Sequence, residues 1–315
     1  MVYRPFLDLS CALSQHLAGR GTLTSSPISV LDIGAAQGFD PKLERLEPHL
    51  LRIGFEPDRR EWESLSNAYA SEIEAGTVKL HNQALWSHAG ELTLYQTGDP
   101  DCASFLPPNE EVIATLPDQT PMTVTGEIKL DVATLDGFET GAADVDLIKV
   151  DVQGGELEVL KGGERILREQ ATAVILEVNF TELYSGQASF SELNNYLAGM
   201  GFTLVDLDMR RWRRTELPEA FSGYRMGQIA YADALYMKDA THPADGAFAK
   251  PLTQEKLLKL LCLYEFFALL DWALEAAEKA ISNGLLGQEE GEEVLSALRS
   301  NQVLEFYNRN IKPQG

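Results

Sequence analysis

Val30-Leu-Asp-Ile-Gly-Ala-Ala-Gln-Gly-Phe-Asp40 runs an apolar stretch straight into two glycines four positions apart, with Asp32 just ahead of them. An apolar run that ends in such a turn reads as a strand feeding a helix. Gly34 lets the chain turn where a Cβ would meet a ligand, and Gly38 permits close approach at the start of the next helix. The dinucleotide fingerprint G-x-G-x-x-G is absent, because Ala35, Ala36 and Gln37 separate the two glycines. A carboxylate two residues before the first glycine would repel a phosphate and suits a ligand carrying positive charge.

Outward from this turn the chain alternates short and long segments. Runs rich in Val, Ile and Leu lie at 28–33, 51–55, 78–80, 145–150 and 173–178, and helix-like segments at 41–49, 58–74, 154–169 and 189–200. That alternation predicts a parallel α/β sheet. Phe202–Leu207 and Gln228–Met237 follow without a clear intervening helix, which predicts an antiparallel final strand. Ahead of the turn, Phe6, Leu9, Leu13 and Leu17 have helical spacing.

One stretch departs from the alternation. "ALWSHAGELTLY" reads as a β-hairpin turning at His88-Ala89-Gly90, and Ile128–Thr134 as an edge strand. Between them Thr97 to Gly126 forms a Pro-rich polar loop of a length more usual in lids and binding loops, or in a disordered insertion.

The 315 residues carry 48 acids against 26 Lys and Arg, a formal net charge of −22. Such a balance argues against nucleic acid or an anionic membrane as the main partner. Cys11, Cys102 and Cys262 are too few and too far apart for a disulfide framework or a zinc site, and suit a reducing cytoplasm. Neither a signal peptide nor a membrane-spanning run is expected.

Strand ends supply the chemistry. Glu56, in "RIGFEPD", ends the second strand, where an acid accepts hydrogen bonds from the hydroxyls of a ribose. Ribose there and a cationic group at the first strand describe S-adenosylmethionine better than NAD. In "DLIKVDVQGGELEVLKGGERIL", residues 146–167, Lys149 and Asp151 share one side of the fourth strand. Asp151 falls at its carboxyl end, Gly154-Gly155 makes the turn, and Glu156 enters the next helix, so Asp151, Gln153 and Glu156 crowd one strand tip. A helix cap beside a solvated acid would leave the same pattern. "AVILEVN" brings Glu177 and Asn179 to the same edge.

Taken together, "VLDIGAAQG", "GFEPD", "NQALWSHAGELTLY", "VATLDGF", "DLIKVDVQGGELEVLKGGERIL" and "VILEVN" resemble the FkbM-type S-adenosylmethionine-dependent methyltransferases in order and spacing, over roughly Pro27 to Lys238. Gln153 and Gly155 stand where that family usually has Glu and Ala. The resemblance implies a class I methyltransferase fold, Rossmann-like and seven-stranded with the last strand antiparallel. It also implies methyl transfer to a hydroxyl of a sugar, glycan or glycosylated metabolite. A cofactor edge of Asp32, Gly34, Ala35, Gly38, Phe39, Glu56, Pro57, Gln83, Ala84 and Asp151 is expected.

The alcohol must lose a proton. Asp151 can take it directly, or a magnesium-like ion held by Asp151, Glu156 and Glu177 can lower its pKa, and the sequence leaves both models open. Glu177 and His88 are further base candidates, and His81 lies near the adenine end. Acceptor-binding candidates are Ser104 and Asn109 in the long loop, Lys149, Gln153 and Asn179 at the strand tips, and Arg211 and Trp212 in "MRRWRRTE". Surface charge clusters are common, and that basic cluster also reads as a solvated turn between two strands.

The expected organisation is an N-terminal helix and linker at 1–26, the methyltransferase domain at 27–240, and a linker with a C-terminal helical region at 241–315. Leu257, Leu260, Leu261, Tyr264, Phe267, Ala268 and Leu270 give the first of those helices a wide apolar face, and roughly 289–308 a second helix follows. Such a face must pack on the catalytic domain or on a second copy, and a homodimer is the expectation. Two other classes stay in view: a scaffold protein that keeps the fold without catalysis, and an NAD-dependent oxidoreductase, which the glycine pattern disfavours.

Overall fold

The computed structural model describes residues 11–23, 26–47, 49–116, 118–142, 144–213, 227–243 and 247–300. In chain order the strands are β1 (Ile28–Ile33), β2 (Leu50–Phe55), β3 (Val78–His81), β4 (Ala84–Leu85), β5 (Gly90–Thr97), β6 (Val124–Ala133), β7 (Leu147–Val150), β8 (Ala173–Asn179), β9 (Phe202–Trp212) and β10 (Gln228–Lys238). The helices are α1 (Ala12–Arg20), α2 (Arg59–Ala68), α3 (Ala70–Ala75), α4 (Glu110–Ile113), α5 (Glu156–Gly162), α6 (Glu164–Glu169), α7 (Phe190–Ala198), α8 (Gln254–Phe266), α9 (Leu270–Ser282) and α10 (Gln288–Arg299).

Seven strands form one sheet in the order β3-β2-β1-β7-β8-β10-β9. The pairs among β3, β2, β1, β7 and β8 are parallel, and β10 lies antiparallel between β8 and β9. The expected antiparallel final strand is therefore present. Every residue of β1 and β2 is buried, as strands covered on both faces require. Alternation assigns the faces. Leu31, Ile33, Ile148, Val150, Val174 and Leu176 meet Val159, Leu160, Ile166, Leu167, Leu193 and Leu197 of α5, α6 and α7. Ile28, Val30, Leu147, Ile175, Leu235 and Met237 point the other way, toward α1, α8, α9 and α10.

Local chemistry sets several boundaries. Among the described residues of the 41–49 segment a 3-10 turn forms, Pro41–Leu46, in place of the expected helix. Asp40 caps it, and Glu47 turns extended (ψ 153°), as the residue before a proline prefers. Asp58 caps α2, and Ser189 with Glu192 forms a capping box on α7. The expected helix over Phe6–Leu17 is described from Ala12 onward, with Leu13 and Leu17 buried; Phe6 and Leu9 lie outside the described residues.

The stretch after β3 differs from the expectation. β4 and β5 do not pair as a hairpin, because β6 inserts between them in a three-stranded sheet of order β4-β6-β5. β6 runs antiparallel to β5 and parallel to β4, so it is a central strand and not an edge. A turn of a few residues looks the same in sequence whether its flanking strands touch or stand one strand apart. Among its described residues Thr97 to Gly126 contains α4 and two 3-10 turns, and ties back through bridges Tyr95–Ser104 and Pro108–Tyr184.

In α8 every residue from Leu257 to Phe266 is buried, Lys259 and Glu265 included, and these two are answered by Asp146 and by the Ala12 and Leu13 N–H groups at the start of α1. Its core is continuous with one face of the sheet, so the apolar surface that raised the homodimer is covered within the chain. The chain breaks between α8 and α9, where Ala268 takes φ 60°. α10 is described to Arg299, and the remainder of the expected second helix lies outside the described residues. Among the described residues no helix is long and apolar enough to cross a membrane.

Candidate active site

A cavity of about 420 Å³ opens at the carboxyl ends of β1, β2 and β7. That edge of an open α/β sheet is where ligands bind, and the size is typical of small-molecule sites. Leu94, Gln96 and Thr97 of β5, with Pro100, Asp101 and Ala103–Phe105 from the long loop, line it from the other side. The loop thus acts as a wall of the cavity. Gln37 Nε2 donates to Asp101 Oδ2 (2.6 Å), and Ser104 Oγ donates to the Gln153 carbonyl (2.6 Å), fastening that wall to both glycine turns.

Gly34 has φ +88°, and a Cβ there would sit 1.9 Å from the Asp151 carbonyl oxygen. The first glycine is needed because the ends of β1 and β7 touch, whatever the cavity holds. Gly155 has a comparable reason. A Cβ on it would come within 2.5 Å of the Trp86 ring, so the glycine and the indole occupy one space between them.

Of the expected cofactor edge, Gly34, Gly38, Glu56, Pro57, Gln83, Ala84 and Asp151 line the cavity. Asp32, Ala35 and Phe39 do not. Phe39 packs edge-on against Tyr69 (5.4 Å between centroids). Asp32 is buried and accepts from Lys149 Nζ at 2.9 Å, so Lys149 stands on the cavity wall in its place. Burial raises the Asp32 pKa, against the pull of the Lys149 ammonium. Burial alone would lower the Lys149 pKa, but Asp32 and Asp151 together raise it, which keeps the ammonium charged.

Glu56 is buried at the end of β2, with Oε1 accepting from the Asp58 N–H at 2.7 Å. Burial pushes its carboxyl up to about 7, and Asp58, Glu61 and Asp101 add to the rise. Asp151 faces the cavity from β7, and Gln153 Nε2 donates to its Oδ1 at 2.9 Å. Gln153 has φ 56°, an uncommon conformation outside glycine, and its Oε1 lies 2.8 Å from the Tyr184 hydroxyl. Tyr184 is fully buried, and its hydroxyl also reaches the Cys102 carbonyl (3.0 Å) in the long loop. No sequence signal marked Tyr184, because its role depends on a contact 31 residues away.

Several candidates are committed elsewhere. Glu156 Oε1 accepts from the Val152 and Gly154 N–H groups, closing the turn ahead of its own helix, and it does not line the cavity. Its burial raises the carboxyl to about 7. Glu177 is raised well above the usual range by burial, then by Asp151 and Glu156, and accepts from Asn179 Nδ2 (3.3 Å). Asn179 lines a separate groove with Phe180 and Phe190. Among the described residues no three His, Cys, Asp or Glu are placed to hold a metal ion. The Asp151, Glu156 and Glu177 set does not fit magnesium, since backbone N–H groups already hold Glu156.

The structure does not bring His88 to the cavity. It sits in an exposed turn with Nδ1 3.2 Å from Ser87 Oγ. His81 packs against Phe55 and edge-on against Phe138, and does not line the cavity. Ser104 lines the cavity with its hydroxyl donating to the Gln153 carbonyl and accepting from the Leu106 N–H, whereas Asn109 caps α4. Arg211 donates to the Gly227 carbonyl, and Trp212 packs against Ile113, Met122, Leu183 and Tyr184. Neither lines the cavity, and Arg214 of that basic cluster lies outside the described residues.

Residues 32–204 match the family model described as the methyltransferase FkbM domain. The 2-O-methyltransferase NoeI of Sinorhizobium fredii (strain NBRC 101917 / NGR234) is 27% identical over 168 residues, which span 50% of this chain and 66% of that protein. The methyltransferase sdnD of Sordaria araneosa is 30% identical over 184 residues, spanning 52% of this chain and 71% of the relative. Among solved structures, methyltransferase FkbM from Methylobacillus flagellatus KT superposes with a TM-score of 0.41 at 15% identity, covering 67% of this chain and 43% of that one.

Proposed function

The chain belongs to the FkbM methyltransferase family, and from that premise we propose that it moves a methyl group from S-adenosylmethionine to a hydroxyl of a sugar, glycan or glycosylated metabolite. Membership sets aside the oxidoreductase reading, and cofactor binding separates catalysis from a scaffold that keeps the fold. The observation that carries the proposal is the pairing of Glu56 and Asp151 on one cavity, at the ends of strands that both flank β1.

Glu56 is suited to accept the hydroxyls of a ribose, because Asp58 fixes one carboxylate oxygen and the residue borders the cavity. Acids outnumber cations along the lining, which favours a cationic ligand: Glu56, Asp58, Glu61, Asp101 and Asp151 against Arg60 and Lys149. S-adenosylmethionine, when bound, supplies an electrophilic methyl group on a sulfonium centre. Asp151 takes the proton of the acceptor hydroxyl, and Gln153 holds that carboxylate in one orientation. The wall formed by Ala103–Phe105 limits water at the reacting edge. Support for a hydroxyl acceptor comes from the name of the relative, a 2-O-methyltransferase.

The test is incubation with methyl-labelled cofactor and glycan or metabolite extracts, followed by mass spectrometry. A labelled product heavier by one methylene, with demethylated cofactor released, is expected. Absence of cofactor binding by calorimetry, or label found only on nitrogen, would overturn the reading.

A further inference from the structure

Lys149 is the cation built into the wall of this acidic cavity. Arg60 also borders it, but that side chain is 76% exposed and already paired with Asp58 at 3.1 Å. Lys149 rises from the interior of β7 with its side chain 24% exposed, over an Asp32 that is 3% exposed. Asp32 and Lys149 sit opposite each other in the β1–β7 register, so the ion pair is fixed by two neighbouring strands of the central sheet. An ammonium has three donors, and among the described residues Lys149 Nζ hydrogen-bonds to Asp32 Oδ1, while Asp151 and Asp233 act on it through charge alone. The remaining donors belong to an atom on the cavity wall whose partner in the protein lies behind it.

We propose that Lys149 anchors the carboxylate of the cofactor's amino-acid end, with Asp32 acting through it as a positioning residue. The inference rests on the cofactor reading above. The ammonium and sulfonium of the ligand find acids all round the lining, but its carboxylate finds one preorganised cation, half-buried on the wall and held by a buried aspartate. Glu56 and Lys149 are carried by β2 and β7, the two neighbours of β1, so roughly 10 Å of sheet separates the two ends of the ligand. The ribose end then lies toward β2 and the amino-acid end toward β7, beside Asp151. This also reassigns the two sequence candidates: Lys149 contacts cofactor and not acceptor, and Asp32 contacts Lys149 and not cofactor.

The experiment compares S-adenosylmethionine with its decarboxylated form by calorimetry, on the unsubstituted protein and on Lys149→Met. The two compounds differ in the carboxylate alone. Loss of a charge-assisted hydrogen bond should weaken S-adenosylmethionine by on the order of 10- to 100-fold in the variant. The decarboxylated compound should bind the variant as well as it binds the unsubstituted protein, or better. Asp32→Asn/Lys149→Met controls for the buried carboxylate that the single variant strands, and should show the same selectivity. Equal loss for both compounds, or no loss for either, overturns the assignment while the cofactor reading stands. If neither compound binds the unsubstituted protein, the cofactor reading falls, and this inference with it.

Discussion

Two aspartates bracket the short strand β7, and they live in opposite worlds. Asp146, just before it, is fully buried and fully answered. It accepts from the Ser29 N–H at 2.9 Å, Lys256 Nζ at 2.6 Å and Lys259 Nζ at 3.3 Å, both lysines reaching down from α8. Asp151, just after it, shares the opposite edge with Glu177 and Glu156, and Lys149 is shared between Asp32 and that acidic edge. The amino edge closes its charges with a helix, whereas the carboxyl edge leaves an excess of acid facing a cavity. Residue types on one strand are alike at its two ends; what differs is whether the fold supplies counter-charges. Where it does, the ionic group specifies how a helix docks. Where it does not, the uncompensated charge is available to a ligand.

The sharpest way to break this contrast is Asp146→Ala. Removing it takes the carboxylate from the buried Lys259 and leaves Lys256 on Asp144 and the Val145 carbonyl, and breaking a buried charge network costs about 3–5 kcal/mol. A urea midpoint should fall accordingly, with cofactor affinity of the folded fraction unchanged. A loss below about 1 kcal/mol would mean that the amino edge is no more committed than the carboxyl edge.

Asp151→Asn should do the reverse. Turnover should fall by about 100-fold or more with cofactor affinity and the urea midpoint little changed. A comparable loss of stability would put Asp151 among the structural acids, beside Glu156.

The smallest effect concerns Glu56, whose carboxyl burial holds at about 7 against an ordinary 4.5. Because the folded value is the higher one, its contribution to stability is fully present below the ordinary value and is lost as pH rises through about 7. The ligand-free protein should therefore lose stability across that window, and Glu56→Gln should flatten this part of the profile. Affinity should move oppositely, since the ionised form is the better acceptor of two hydroxyls. Calorimetry at pH 6 and pH 8 should show a several-fold tighter complex at the higher pH, and Glu56→Gln should weaken binding at pH 8 while removing most of that difference. A pH-independent affinity in the unsubstituted protein would remove the ribose from Glu56.

The strand-end acids were legible because period-two alternation and the turn residues fix which residues end a strand. Hence Glu56 and Asp151 reach the cavity from sequence position alone. Asp32 reads identically but fails to reach it, because the side chain across the register from it is a lysine. Ser104 lines the cavity from its loop, yet its hydroxyl is already used on the Gln153 carbonyl. Asn109, five residues on, is taken by a helix start, which the short α4 hid from any periodicity argument.

Sequence by itself determined the parallel alternation, the antiparallel last strand, the glycine turn and the family, all of which depend on local periodicity and residue order. Tertiary structure decided the rest. It placed β6 between β4 and β5, turned Glu156 onto the N–H groups of the preceding turn, set Lys149 in front of Asp32, and buried α8 against the sheet. Each of these is a choice between partners far apart in the chain. An apolar helix face or a free carboxylate states that a partner is needed, and only the folded chain shows which one arrives first.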